Sequence, residues 1–136
     1  MRCPDLRYSR AMPERTEEVE QVVRDWIAAK QTGDAEAIRA NLSAYEGAHA
    51  IGTEPAEWWS GADKFTEAHT SDGPFTVVLD TVEAHREDSV AWAAVRGVVE
   101  TGEPGGLPVR LTLVLTQEGE SHWRIVQSHA STPSDA

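Results

Sequence analysis

Apolar residues in the first third of the chain return every three or four positions. Val19, Val22, Val23, Trp26, Ile27 and Lys30 fall at i, i+3, i+4, i+7, i+8 and i+11, which places them on one stripe of an α-helix. Pro13 suits the first turn, Glu14, Glu17 and Glu18 favour the positive helix end, and Gly33 closes the helix. Asp34 then caps a second, short helix with Ala35, Ile38 and Leu42 on its apolar side. Residues 47–52 (GAHAIG) read as a strand or extended edge, with His49 and Ile51 on one face. Residues 53–61 (TEPAEWWSG) hold a structure-breaking Pro55 and two adjacent tryptophans. Adjacent side chains point different ways, so one of Trp58 and Trp59 is expected in the core and the other at a cavity mouth. Ser60 and Asp63 resemble a capping box. They open a third helix, residues 61–69, with Ala62, Phe65 and Ala68 inward and a turn at Asp72-Gly73-Pro74.

A period of two takes over at Phe75. Residues 75–85 and 89–101 are rich in Val, Thr and aromatic residues, with a tight turn expected at Glu87-Asp88. Trp92, Ala94, Arg96 and Val98 share one face, and Ala93, Val95, Gly97 and Val99 the other. Gly97 in mid-strand marks a bulge or a sharp bend. Residues 102–108 (GEPGGLP) lead into a final hairpin, residues 108–131. There Leu111, Leu113 and Leu115 alternate with Arg110, Thr112 and Thr116. A two-residue turn at Gly119-Glu120 would set Gln117 opposite His122, Thr112 opposite Gln127 and Arg110 opposite His129. Arg110, Thr112, Gln127 and His129 would then cap one end of a face that Val114, Thr116, Trp123 and Ile125 continue. A polar cluster capping an apolar stripe has the form of a pocket end. The opposite parity, with the three leucines inward, stays open, because a dimer can bury both faces of a sheet. Helices first and a long meander after them give an α+β class, and three short helices can cover such strands only if the sheet bends strongly.

Length and charge narrow the roles. The 136 residues make one domain, with residues 1–12 expected as a disordered leader, 13–131 as the folded unit and 132–136 as a disordered tail. Twelve Lys plus Arg against 23 Asp plus Glu leave a net charge of -11, which argues against nucleic-acid and anionic-membrane partners. No apolar run reaches bilayer length and no signal pattern opens the chain, so a cytoplasmic protein is expected. The single Cys3 excludes an internal disulfide. The histidines form no HxH or HExxH cluster and no Gly-rich phosphate loop precedes a helix, so no metal and no cofactor is assigned.

Candidate chemistry therefore gathers on the hairpin. His129 has the pKa range of a general acid or base, and Arg110 can hold an anion with its planar fork. These two are the candidate catalytic residues. Gln127, Thr112, Arg96, Trp58 and Trp59 are the candidate ligand-binding set.

The helix-helix start with GDAEAI, the stretch AIGTEPAEWWSG, the Trp92 strand and the ending WRIVQSHAS together resemble the SnoaL-like branch of the nuclear-transport-factor-2-like superfamily, over residues 14–131. The resemblance implies a cone-shaped α+β barrel in which a bent antiparallel sheet wraps a long helix and the open end is a pocket. It also implies a homodimer through the outer sheet face. His129 would match the family's late pocket-facing histidine, while Gln127 stands where relatives often carry a second histidine. The steroid-isomerase set has no match, since Tyr8, Tyr45 and Asp80 do not assemble it. The resulting expectation is an apolar pocket for a small oxygenated molecule, with isomerase- or cyclase-like proton transfer as its chemistry if it is catalytic. The alternative is a non-catalytic homodimerisation or association module.

Overall fold

The computed structural model of the chain describes residues 12–70, 74–120 and 122–133. The leader and tail expectations fall mostly outside these residues, as does most of the turn at Asp72-Gly73-Pro74. Helix α1, Glu17–Thr32, starts later than Pro13 suggested, because Glu14–Arg15 form a short strand, β1, against Arg86 and His85. Thr16 caps the helix, its hydroxyl accepting from the Val19 amide at 3.4 Å. Gly33 closes α1 in the left-handed region (φ 71°), a conformation that costs glycine little. Asp34 caps helix α2, Ala35–Ala40, by accepting from the Ala37 amide at 3.1 Å. Helix α3 is Ala62–Thr70. Asp63 does not complete a capping box there but pairs with Arg39 of α2 at 2.7 Å.

Strands β2 (His49–Ile51), β3 (Trp58–Ser60), β4 (Val77–Glu87), β5 (Val90–Val99), β6 (Leu107–Gln117) and β7 (Trp123–Ser131) complete the sheet. Its order is β1-β4-β5-β6-β7-β2-β3. The β2–β7 pair is parallel and the others are antiparallel. The tryptophan pair thus lies in a short antiparallel strand. The β4–β5 turn is one residue later than expected: Glu87 pairs with Val90, and Asp88 takes a positive φ of 55°.

Two register shifts shape the sheet. In β4, Leu79 pairs with Gly97 but Thr81 pairs with Arg96, which leaves Asp80 as an extra residue. In β7, Ile125 pairs with Leu115 but Gln127 pairs with Val114, which leaves Val126 extra. An extra residue bends its strand and changes which side chains face inward beyond it. Leu79 and Val82 therefore both face the core, although three positions apart, and so do Ile125 and Ser128. Gly97 lies beside the first shift, where an added Cβ would stand 2.7 Å from the Val78 carbonyl oxygen. The expected bend at Gly97 is thus present, and it is the partner strand that carries the extra residue.

The bent sheet closes around α1 as a cone. Ala84, Ala91 and Ala93 floor it, and these small side chains let Val19, Val23 and Trp26 approach closely. Leu113, Leu115, Trp123 and Ile125 fill the β6–β7 side, with Ile38, Leu42 and Phe65 over them. The three leucines therefore take the inward parity that the pattern left open. Trp123 and Ile125 join them and do not continue the face of Arg110 and His129, because Val126 interrupts the alternation. Among the described residues no helix is long and apolar enough to cross a membrane.

Gly97→Ala would force the Val78 strand outward at the bend. The expected loss is about 1–3 kcal/mol by urea denaturation; an unchanged midpoint would show that the strands need no such close approach.

Candidate functional site

The cone is not filled to its end. Past the last turn of α1, the start of β4, the end of β5, the start of β6 and the end of β7 surround a cavity of about 150 Å³. Its walls are Ile27, Phe75, Leu79, Val95, Leu111 and similar apolar groups, with Gly97 leaving room on the β5 side. Among the described residues Lys30 is the only one in the lining with a polar side chain. Its Nζ stands 4.5 Å from the centroid of the Trp26 ring, and among the described residues it has no ion pair or hydrogen bond. Burial pushes the Lys30 ammonium down to about 8, because removal from water disfavours the charged form.

Behind Lys30 lies an aromatic cluster that joins α1 to α3. Trp26 meets His69 at 5.2 Å and Phe65 at 6.1 Å, and Phe65 meets His69 at 5.0 Å. His69 Nδ1 lies 2.7 Å from the Phe65 carbonyl oxygen. That acceptor requires the proton on Nδ1 and leaves Nε2 as an acceptor. Burial first, and the Lys30 charge second, lower the His69 pKa to about 3, so the ring is neutral at pH 7. Trp26 Nε1 and Thr66 Oγ1 are buried with no partner among the described residues. Each such group costs roughly 1–3 kcal/mol relative to a satisfied one.

The seven residues singled out from sequence lie elsewhere. Arg110, Thr112, Gln127 and His129 do share a face, but it is the outside of the cone, where all four are exposed. The expected pairing also shifts by two: Thr112 faces His129, and Arg110 faces Ser131. Arg96, Arg110 and Thr112 border an open depression on that outer face together with Thr81 and Ala94. Arg96 is held there by Asp80, with Nε donating to the carboxylate at 2.8 Å. Trp58 is 61% exposed and packs its ring 5.6 Å from His49, while Trp59 is half-buried against the core. Neither tryptophan is fully buried, and neither lines the cavity. The pair divides as outside and inside of β3, not as core and cavity mouth. Lys30 and His69 are the groups that the pattern passed over. The available signal was Lys30 itself, a lone cation in an otherwise apolar helical stripe.

A family model described as a SnoaL-like domain matches residues 19–135. No curated protein matches the chain. Among solved structures, an NTF2-like protein of unknown function from Pseudomonas putida KT2440 is similar at a TM-score of 0.74 and 21% identity, covering 87% of this chain and 86% of that one. A putative ketosteroid isomerase from Shewanella frigidimarina NCIMB 400 is similar at 0.68 and 19% identity, covering 85% and 95%. A putative calcium/calmodulin-dependent protein kinase type II association domain from Thiobacillus denitrificans ATCC 25259 is similar at 0.71 and 18% identity, covering 91% and 100%. These likenesses establish the NTF2-like fold.

Two outcomes follow from the cluster. His69 binds its proton near pH 3 in the folded chain, against 6.5 as the ordinary value. The unfolded chain therefore takes up the proton first, and stability is full above pH 6.5 and falls as the pH drops towards 3. This group alone should remove about 1–2 kcal/mol between pH 6.5 and 5. Chemical denaturation should show a shallower acid slope for His69→Gln than for the wild type, and equal slopes would refute the assignment. Trp59→Ala should cost about 2–4 kcal/mol, and Trp58→Ala within about 1 kcal/mol of nothing; similar losses would contradict their placement.

Proposed function

Since this chain belongs to the SnoaL-like domain family, we propose that its cone binds a compact, apolar small molecule that presents one oxygen to Lys30. The observation that carries this reading is the cavity of about 150 Å³ whose lining holds one amine, without an ion-pair partner among the described residues, in an otherwise apolar wall. Apolar walls supply affinity by removing ligand surface from water, and one polar group fixes orientation. The proposed chemistry is proton transfer beside a carbonyl, of the isomerase or cyclase kind, as the name of the Shewanella frigidimarina relative suggests. At pH 7 most Lys30 side chains are ammonium, and an ammonium in a dry site stabilises a developing enolate oxygen strongly. His69, with a pKa of about 3, is too weak a base to hold the transferred proton at neutral pH. It packs behind Lys30, against Trp26 and Phe65. In this reading His129 and Arg110 lie too far outside the cone to act on its contents.

We assign the outer face to assembly instead. Val90 and Trp92, at the start of β5, are 42% and 40% exposed, and Val78, beside Val98 towards its end, is 57% exposed, with the depression bordered by Arg96, Arg110 and Thr112 between them. Exposed apolar groups of this kind fit a homodimer contact, in a protein read as cytoplasmic. The same groups favour the second reading, a non-catalytic association module, and the Thiobacillus denitrificans relative carries such a name. A monomer in sedimentation velocity at micromolar and higher concentration would remove both the homodimer and the association module.

The cavity reading has its own test. Cyclohexanone should raise the melting temperature of the wild type more than methylcyclohexane, a close match in shape without the oxygen. Lys30→Met should abolish that preference. The variant should itself be more stable at pH 7 by about 1–3 kcal/mol, since it removes a buried charge. Below about pH 8 the folded chain carries the full cost of the Lys30 ammonium, and near pH 10.5 that cost is gone. The stability gap should therefore close as the pH rises through that window. No thermal response to either probe would overturn the cavity reading.

A further inference from the structure

We propose that Lys30 captures carbonyl compounds covalently: inside the cone its amine condenses with a small apolar aldehyde or ketone to form an imine. This rests on the cavity reading above and names the ligand class of that same site.

Three observations converge. Among the described residues the amine has no carboxylate or hydrogen-bond partner, and its one close contact there is the face of the Trp26 ring, 4.5 Å from Nζ. Burial leaves about a tenth of the Lys30 side chains as neutral amine at pH 7, against about one in a few thousand for an ordinary exposed lysine. The remaining walls are apolar, and they decide which oxygenated ligand fits. A carboxylate would meet one amine and no second donor among the lining side chains, leaving most of its lone pairs unsatisfied in a dry site. A neutral carbonyl carries no such cost. Condensation then converts a buried ionisable amine into an imine that is far easier to keep neutral.

The step balances without an oxidant or reductant. The Nζ lone pair attacks the carbonyl carbon, and the C=O π pair moves to oxygen, which takes a proton to give a carbinolamine. The nitrogen lone pair then forms the C=N bond, nitrogen gives up its remaining proton, and the oxygen leaves as water. One aldehyde and one amine give one imine and one water.

The chain supplies an internal control, because it contains only two lysines. Lys64 is exposed and lies 3.9 Å from Glu67, away from the cavity. The full-length protein is treated at pH 7 with benzaldehyde and sodium cyanoborohydride, which reduces an imine to a stable secondary amine. Peptide mass mapping should find the aldehyde's mass, less one oxygen, on Lys30 at least ~10-fold faster than on Lys64, in line with the larger neutral fraction. Excess toluene, which can fill the cavity but cannot condense, should slow labelling at Lys30 and leave Lys64 unchanged. Lys30→Met should lose the fast adduct while keeping its far-UV circular dichroism and its thermal response to toluene. Labelling of Lys30 no faster than Lys64, or fast labelling that toluene does not slow, would overturn the proposal. If toluene and benzaldehyde bind by thermal shift while Lys30 stays unmodified, imine formation fails and the cavity reading stands. If neither binds and no fast adduct forms, both fail.

Discussion

The extra residues Asp80 and Val126 decide what this sheet can enclose. Regular alternation along β4 and β7 would give straighter strands and a flatter layer, which α1 could cover only in part. Each extra residue adds a bend and resets the alternation, so that Leu79 with Val82, and Ile125 with Ser128, face the same side. The sheet can then wrap α1 along its length and pass beyond its last turn. The space left there, between Ile27 and Lys30 on one side and the ends of four strands on the other, is the cavity. The same shift that turns Leu79 and Val82 inward turns Asp80 outward, where it holds Arg96. The shape of the cone and the character of its outer face thus share one cause.

That cause also sets the limit of what the sequence reveals. The helices are legible because their stripes and caps are local: Val19 to Ile27, Gly33 and Asp34 behave as their spacing requires. The grouping of alternate residues on β5 and β6 is legible for the same reason. Which face is inward is a tertiary matter. Leu111, Leu113 and Leu115 bury more apolar surface than Arg110 and Thr112 would, and alternation alone does not rank the two faces. No glycine or proline near Val126 announces an extra residue, so plain alternation places Trp123 and Ile125 on the face of Gln127 and His129. Strands β1 and β3 are two and three residues long, too short for alternation to show. The candidate site was hidden differently. Lys30 was visible on the apolar stripe, where a terminal lysine usually extends its charge into water. Its confinement depends on strand ends that approach from 45 and more residues further along the chain, beginning with Phe75.

Four polar groups of the interior gather on the later turns of α1 and on α3: Lys30, His69, Trp26 Nε1 and Thr66 Oγ1, while the buried Thr16, Ser43 and Ser128 lie elsewhere in the core. Each of the four is held at some cost: a desolvated cation, an imidazole kept neutral and two unsatisfied polar atoms. Apolar substitutes of similar size would pack better, so a sequence shaped by stability alone would not place all four together. Such a cluster is the physical ground for the proposed binding site, because a bound molecule can satisfy groups that the protein leaves open.

Charge on the outside sharpens what that molecule is. A surface of net charge -11 favours protonation of Lys30 and repels anions approaching the cone. The Trp26 ring also favours the ammonium, by an amount on the order of 0.5–2 kcal/mol. Burial acts the other way and lowers the group to about 8. Anionic ligands are thus disfavoured twice, by the field outside and by the missing second donor inside. Cationic ligands would meet Lys30 itself. A neutral molecule that is apolar over most of its surface and carries one reactive oxygen avoids all three penalties. In the proposed imine step, the burial that makes the ammonium costly is also the source of the neutral amine.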